Sequence, residues 1–245
     1  MLKQPKLDIV RSEDAEDMLT DKTKDWLEAQ NKERDPRIHA SDLLDPRKAY
    51  WNRQHKEVMT KKMVGNFFVG KVLHAFYLSA LHKAEGVDWK SDEGGNFDKE
   101  LGITFSPDWA TGTVPGELKT SRAVNEQTNR DLSTYTEQLC IYMAAMKSLV
   151  GRLVVLRIMG KDKAKGWGTY PQYRAYKITW DKAGLAGYRA EIKKTVKLLT
   201  EALKKKDPSK LEKCRKWKCG KGNCGHWELC RPEGRYNLPE NKWEA

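Results

Sequence analysis

Hydrophobic residues recur at helical spacing in three long stretches of the chain. Over residues 63–81 they form two neighbouring stripes, which predicts a helix that is apolar around its girth and largely buried. Residues 131–146 and 181–206 show the same spacing, and the second stretch carries lysines on its outer face. Ser41 and Asp42 are the candidate N-caps of a fourth, shorter helix.

Between residues 86 and 120 the pattern changes to alternation, with Gly and Pro at the turns, as expected of strands. Strands are predicted at 101–106, 113–120, 153–156 and 176–180. Helices and strands in this order predict an α/β fold, and they permit a central mixed sheet flanked by helices.

The charge of the chain indicates its kind of partner. With 46 Lys and Arg against 34 Asp and Glu in 245 residues, the net charge is +12, which points to a polyanion such as DNA. The apolar content of 39% excludes a disordered polyelectrolyte. No apolar leader or stretch of membrane-spanning length is present, so we expect a soluble, cytoplasmic protein with no membrane partner, and a virus-encoded one fits equally.

Three regions are predicted. Residues 1–40 form an acidic N-terminal helical segment, since residues 11–35 carry nine acidic and five basic side chains, and this helix is expected to be solvated. Residues 41–206 form the core. Residues 207–245 form a Cys-rich tail.

Acidic and basic residues cluster near the predicted strands. Asp108 follows a proline, and Glu117 and Lys119 flank Leu118 on strand 113–120. If this strand forms a hairpin with strand 101–106, the three charged groups converge. Two carboxylates suit a hard cation such as Mg²⁺ or Mn²⁺, which activates a water and neutralises phosphoryl charge, while Lys119 positions the water or shares that charge. The alternative is a solvated hairpin with a surface salt bridge.

Two further helices carry polar residues at apolar positions. His74 lies within the apolar helix 63–81, where it is either a ligand or a satisfied core histidine. Gln138 and Tyr142 stand four residues apart on one helical face, either reaching the same site or lying at the edge of the core.

Taken in chain order, His74, Pro107-Asp108, Glu117-Leu118-Lys119 and Gln138-x-x-x-Tyr142 resemble the motifs of the RecB-like branch of the PD-(D/E)xK nucleases, which includes the AddB nuclease and CRISPR-associated RecB-type exonucleases. The resemblance spans residues 41 to about 230. It implies a restriction-endonuclease-like core in which His74, Asp108, Glu117 and the Leu118 carbonyl hold the metal, Lys119 orients the attacking water, and Gln138 and Tyr142 contact DNA or support the site.

The tail contains four cysteines within 17 residues, in the pattern C-x4-C-x4-C-x5-C: Cys214, Cys219, Cys224 and Cys230. Such a set suits zinc or an iron-sulfur cluster, although the spacing differs from C-x2-C zinc knuckles. The resemblance favours a four-iron, four-sulfur cluster and leaves Zn²⁺ as the alternative. Relatives usually take one ligand from the N-terminal helix, where this chain has Asp45, so a cluster held by the tail alone would no longer tie the two ends together.

The remaining features near the tail are less specific. Cys140 is most simply a core side chain. Residues 203–221 carry nine Lys and Arg against two acids, and with Trp217 and Trp227 nearby this basic surface suits backbone contact and base stacking with single-stranded DNA or DNA ends. The lysines at 204–206 alone equally fit a solvated helix end.

The leading hypothesis is therefore a Mg²⁺- or Mn²⁺-dependent deoxyribonuclease, an exonuclease with possible endonuclease activity. A second hypothesis is a non-catalytic nucleic-acid-binding module with a zinc-knuckle tail. A third is a nuclease subunit of a recombination, repair or CRISPR-adaptation complex.

Overall fold

The computed structural model describes residues 13–30, 36–55, 57, 59–85, 96–121, 129–161, 169–212, 214 and 224–230. The helices are α1 (Glu13–Gln30), α2 (Pro46–Gln54), α3 (Lys61–Glu85), α4 (Asn129–Ala145), α5 (Lys182–Lys205) and the single turn α6 (Trp227–Cys230), with a 3-10 helix at Ala40–Leu43. The strands are β1 (Ile38–His39), β2 (Asn96–Asp98), β3 (Ile103–Phe105), β4 (Trp109–Thr111), β5 (Val114–Ser121), β6 (Val150–Lys161) and β7 (Thr169–Thr179).

The described strands form two mixed sheets flanked by helices. The larger sheet has the order β4-β5-β6-β7, in which β5 and β6 are parallel and the outer pairs are antiparallel. The smaller sheet has the order β1-β3-β2, with β1 parallel to β3. The α/β class is therefore confirmed, but the expectation of one central sheet was wrong.

The expected hairpin also has a different partner. Strand β5 pairs with the short strand β4, whereas β3 belongs to the smaller sheet. Gly112 has a φ of 59° in the two-residue turn between β4 and β5, as the first position of a type I′ or II′ turn requires. The ring of Trp109 lies where a Cβ of Gly116 would be, so only glycine lets β4 approach β5 this closely.

Helix α4 connects the two halves of the core. Leu139 and Met143 pack on Leu153 and Val155 of the larger sheet. Ile141 and Ala145 belong to a second cluster that also contains Ile103 and residues of α2 and α5. On α5, Arg189 donates to the carbonyl of Ala144 and pairs with two acids at β2, which holds the smaller sheet against α4 and α5.

Helix α3 is less buried than its hydrophobic pattern predicts. Phe67, Phe68 and Val72 are exposed, and Phe76 retains 76% of its accessible surface. Helix α1 covers part of this face, because Trp26 packs edge-on against Phe68 at a centroid distance of 5.9 Å and Leu27 is buried. The expectation that α3 is largely buried was therefore wrong, and the acidic helix α1, which was expected to be solvated, packs on α3 through Trp26.

The prediction that Ser41 or Asp42 caps the N-terminus of α2 was also wrong. Both residues lie inside the 3-10 helix, and α2 begins after Asp45. Asp42 is buried, accepts a hydrogen bond from the amide of His39 and pairs with Arg53. Its carboxylate therefore closes the turn before α2 and does not cap α2. At α5, by contrast, Asp181 is the N-cap and accepts from the amide of Gly184.

A buried arginine ties α2 to the chain that follows α5. Arg47 donates to the carbonyls of Pro208, Ser209 and Leu211, the last at 2.8 Å. The carbonyls of Pro208 and Leu211 belong to buried residues and would cost free energy without a donor. The start and the end of the core are therefore joined through an arginine of α2.

We expect Arg47→Met to lower the free energy of unfolding by about 2–4 kcal/mol, because buried carbonyls lose a charged donor. The control is Lys48→Met on the same helix, where the lost partner is Glu57 near the surface, and there the loss should stay below about 1 kcal/mol. Urea denaturation followed by circular dichroism measures both. Equal losses in the two variants would show that Arg47 does not join the two ends.

Candidate active site

The residues proposed from the sequence meet at one end of the β4–β5 hairpin. Asp108 lies immediately before β4 and faces the middle of β5, where Glu117, Leu118 and Lys119 follow one another. His74 reaches this place from α3, and Gln138 and Tyr142 reach it from α4. All seven residues are brought together, although they come from four elements.

The strand register decides which side Glu117 and Lys119 face. In the parallel β5–β6 pair, Glu117 is opposite Leu153 and Lys119 is opposite Val155. Because paired residues share a face and Leu153 and Val155 pack under α4, the carboxylate and the ammonium point toward α4 as well. Period-two alternation alone predicted that they share a face, but the sequence could not say that α4 covers it.

Glu117 is the buried charge of the site, with only 2% of its surface exposed. Burial raises the pKa of its carboxyl to about 8, and the nearby charge of Asp108 raises it as well. Lys119 and His74 act in the opposite direction and lower this pKa. One oxygen, Oε1, contacts Nζ of Lys119. The other, Oε2, is buried and has no hydrogen-bond partner in the described structure.

Asp108 is held on both oxygens. Nε2 of His74 lies 2.9 Å from Oδ1, and the amide of Leu118 donates to Oδ2 at 2.6 Å. The hydrogen bond to Asp108 raises the pKa of His74, although burial opposes the shift. The backbone of Leu118 therefore takes part in the site through its N–H, which orients Asp108, whereas the resemblance implies a role for its carbonyl.

A chain of side-chain contacts runs from Glu117 into α4. Nζ of Lys119 donates to Oε1 of Gln138 at 2.8 Å, and Nε2 of Gln138 donates to the hydroxyl of Tyr142 at 2.5 Å. Tyr142 is buried, which together with the charge of Glu117 raises the pKa of its hydroxyl. In this arrangement Tyr142 holds Gln138, and Gln138 holds the ammonium of Lys119 against Glu117.

The donor set fits a hard divalent cation in its chemistry. Two carboxyl groups lie close enough to perturb each other, and the buried Oε2 of Glu117 has no hydrogen-bond partner among the described residues. As the side chains stand, no group of three or more His, Cys, Asp or Glu in the described part of the chain is placed to hold a metal ion. Instead, His74 contacts the carboxylate of Asp108 and Lys119 contacts the carboxylate of Glu117. A bound cation would displace these contacts.

The cysteine tail is described in part. Cys214, Cys224 and Cys230 are half-buried, whereas Cys219, Trp217 and most of the basic stretch 213–223 lie outside the described residues. Burial raises the pKa of the Cys224 thiol, and this thiol is close enough to Lys48, Glu57 and Asp45 to be influenced by their charges. Cys224 is thus near the start of α2, close to Asp45. Cys140 of α4 is half-buried, and burial raises its pKa to about 11, as suits a side chain at the edge of the core.

Sequence reasoning gave no role to His226 in the tail or to Asn52 on α2. His226 is buried between Cys224 and Cys230, and its Nε2 lies 2.5 Å from Oδ1 of Asn52 on α2. The sequence feature that could have indicated a role for His226 was the spacing C-x-H-x3-C at 224–230. Asn52 gave none, because its partner is 174 residues away.

Comparisons with known proteins bear on the fold. No protein-family model matches the chain, and no curated protein is significantly similar to it. Among solved structures, one described as the crystal structure of SSO0001 is similar, with 20% sequence identity, a TM-score of 0.51, and coverage of 79% of this chain and 87% of that one. At this identity the similarity supports the mixed α/β fold alone. Within the described residues, no helix is long and apolar enough to cross a membrane.

The pKa of Glu117 predicts how stability depends on pH. Between about pH 5 and 8 the unfolded chain loses the Glu117 proton while the folded protein keeps it, so the free energy of unfolding should fall by up to about 1.4 kcal/mol per pH unit. Glu117→Gln cannot ionise and should flatten this slope, whereas Glu191→Gln on the exposed face of α5 should not. Urea denaturation in EDTA from pH 5.5 to 8.5 measures the slopes, and equal slopes in wild type and Glu117→Gln would contradict the buried-acid assignment.

Proposed function

We propose that this protein is a Mg²⁺- or Mn²⁺-dependent deoxyribonuclease that hydrolyses phosphodiester bonds. The observation that carries the proposal is the convergence of the buried Glu117, Asp108 and Lys119 on one hairpin, joined by His74 from α3 and Gln138 from α4. The resemblance of these motifs to RecB-like PD-(D/E)xK nucleases supports it, and with it a restriction-endonuclease-like core. The net charge of +12 supports a nucleic-acid substrate.

The cation would be held by Asp108, Glu117 and His74. When bound, it would supply the charge neutralisation and water activation that phosphodiester hydrolysis requires. Glu117 would hold the cation as the carboxylate, so binding is expected to strengthen as the pH rises toward 8. The N–H of Leu118 keeps Asp108 oriented throughout, because this hydrogen bond does not depend on protonation.

Lys119 would act on the reacting phosphate. The Lys119 side chain is 26% exposed and its ammonium is held by Gln138, so the ammonium could reach an oxygen of a phosphate or of the attacking water. A fixed positive charge at this place stabilises the charge that develops on the phosphoryl oxygens. Gln138 and Tyr142 position the ammonium and need not touch DNA.

A cell-free cleavage assay tests the proposal. Wild-type protein is expected to degrade DNA with Mg²⁺ or Mn²⁺ and to stop in EDTA. Glu117→Gln and Lys119→Met should each lower the cleavage rate by about 10²–10³-fold or more, because each removes a group that acts on transition-state charge. Binding of DNA, measured by fluorescence anisotropy in EDTA, should change by only a few-fold.

Matched controls lie on the exposed face of α5, where Glu191 and Lys194 pair with each other. Glu191→Gln and Lys194→Met should cleave like wild type. Cleavage by Glu117→Gln at the wild-type rate would overturn the site. Tight DNA binding by wild-type protein without cleavage in any divalent metal would overturn the nuclease and favour the non-catalytic binding module.

A further inference from the structure

A second site lies where the tail meets α2. His226 retains only 1% of its surface, and its Nε2 lies 2.5 Å from the side-chain oxygen of Asn52. An amide oxygen can only accept, so Nε2 carries the ring proton and donates it. The lone pair of the neutral ring is therefore on Nδ1, which is buried and has no hydrogen-bond partner in the described structure.

A buried acceptor without a donor is unfavourable, and proteins rarely retain one without a reason. Histidines that bind metals share this arrangement, because the nitrogen that does not bind the metal donates to an oxygen, which fixes the tautomer and the ring orientation. Asn52 performs this role for His226. The ring is thus already set to present Nδ1 as a ligand.

Two cysteines, Cys224 and Cys230, flank His226 in the chain. The amide of His226 donates to the sulfur of Cys224, and the amide of Cys230 donates to the carbonyl of His226 at 3.0 Å. Burial raises the pKa of the Cys224 thiol, and this hydrogen bond partly offsets the shift. One imidazole nitrogen and one thiol therefore lie within three residues of chain that Asn52 holds against α2.

We propose that Nδ1 of His226 and the thiolate of Cys224 are ligands of a Zn²⁺ ion in the tail, with Asn52 as the residue that positions the imidazole. A mixed nitrogen and sulfur donor set is the usual composition of structural zinc sites. On binding, the Cys224 thiol releases its proton to solvent. Since no three described His, Cys, Asp or Glu are placed as a metal site, zinc binding would draw further tail ligands toward this pair.

The proposed ion would fasten the tail to α2. Asn52 connects His226 to α2, and Arg47 of the same helix already holds the carbonyls after α5. A metal ligand on the tail would thereby strengthen the connection between α2 and the tail. This inference is independent of the nuclease proposal, because it concerns different residues and a different ion.

Metal analysis and cobalt spectroscopy on the full-length protein test the inference. Wild-type protein is expected to bind one Zn²⁺, and Co²⁺ in its place should give visible bands of a tetrahedral site with sulfur ligands. His226→Ala should lower Zn²⁺ affinity by more than about tenfold and change the cobalt bands, and Asn52→Ala should lower affinity by about tenfold through loss of orientation. His226→Cys should retain the metal with stronger sulfur-to-cobalt absorbance, which a merely structural histidine would not produce.

The control is His55→Asn, a histidine that ends α2 beside Trp51 and should leave zinc binding unchanged. Three results would each overturn the inference. They are an unchanged cobalt spectrum and zinc affinity in His226→Ala, wild-type protein that binds no zinc, and anaerobically purified wild-type protein that contains iron and sulfide in place of zinc, in amounts that His226→Ala does not change. Because the readout is bound metal, DNA cleavage can succeed or fail without affecting the result.

Discussion

The structure depends above all on a carboxyl group buried under a helix. Glu117 points from β5 toward α4 into a place where its charge is poorly solvated, so the folded protein retains its proton or surrounds it with compensating groups. Lys119, Gln138 and Tyr142 form the compensating chain on one side, and Asp108 with His74 lies on the other. A protein that needed only stability would place a hydrophobic side chain there, because burying ionisable groups is costly even when they are paired.

The helices around this carboxyl have separate tasks. Helix α4 contributes the hydrophobic residues that pack on the larger sheet and, on the neighbouring stripe of the same helix, the polar pair that holds Lys119. Helix α3 brings His74 to Asp108 while leaving several of its aromatic side chains exposed. The site is therefore assembled from β4 and β5, whose pairing sets the positions of the carboxylates, and from α3 and α4, which cover them. Contacts near the carboxylates can therefore change without unfolding the sheet.

The contacts between α2 and the tail are of a different kind from those around Glu117. Helix α2 holds the tail through directed polar contacts, with Arg47 reaching carbonyls after α5 and Asn52 reaching His226. Such contacts connect residues more than 160 positions apart, so they form only when the core between them has folded. The described tail residues around His226 are consequently held against α2.

The sequence by itself determined the long helices, the strands β5, β6 and β7, and the candidate residues at positions 74, 108, 117, 119, 138 and 142, because side-chain periodicity and local motifs are properties of neighbouring residues. It did not reveal β1, β2 and β4, which are two or three residues long and too short to show alternation. Only the tertiary structure decided that β5 pairs with β4, that α3 leaves Phe76 exposed, and that Asn52 meets His226. Register, coverage and long-range hydrogen bonds depend on which surfaces pack together, and that is a property of the whole fold.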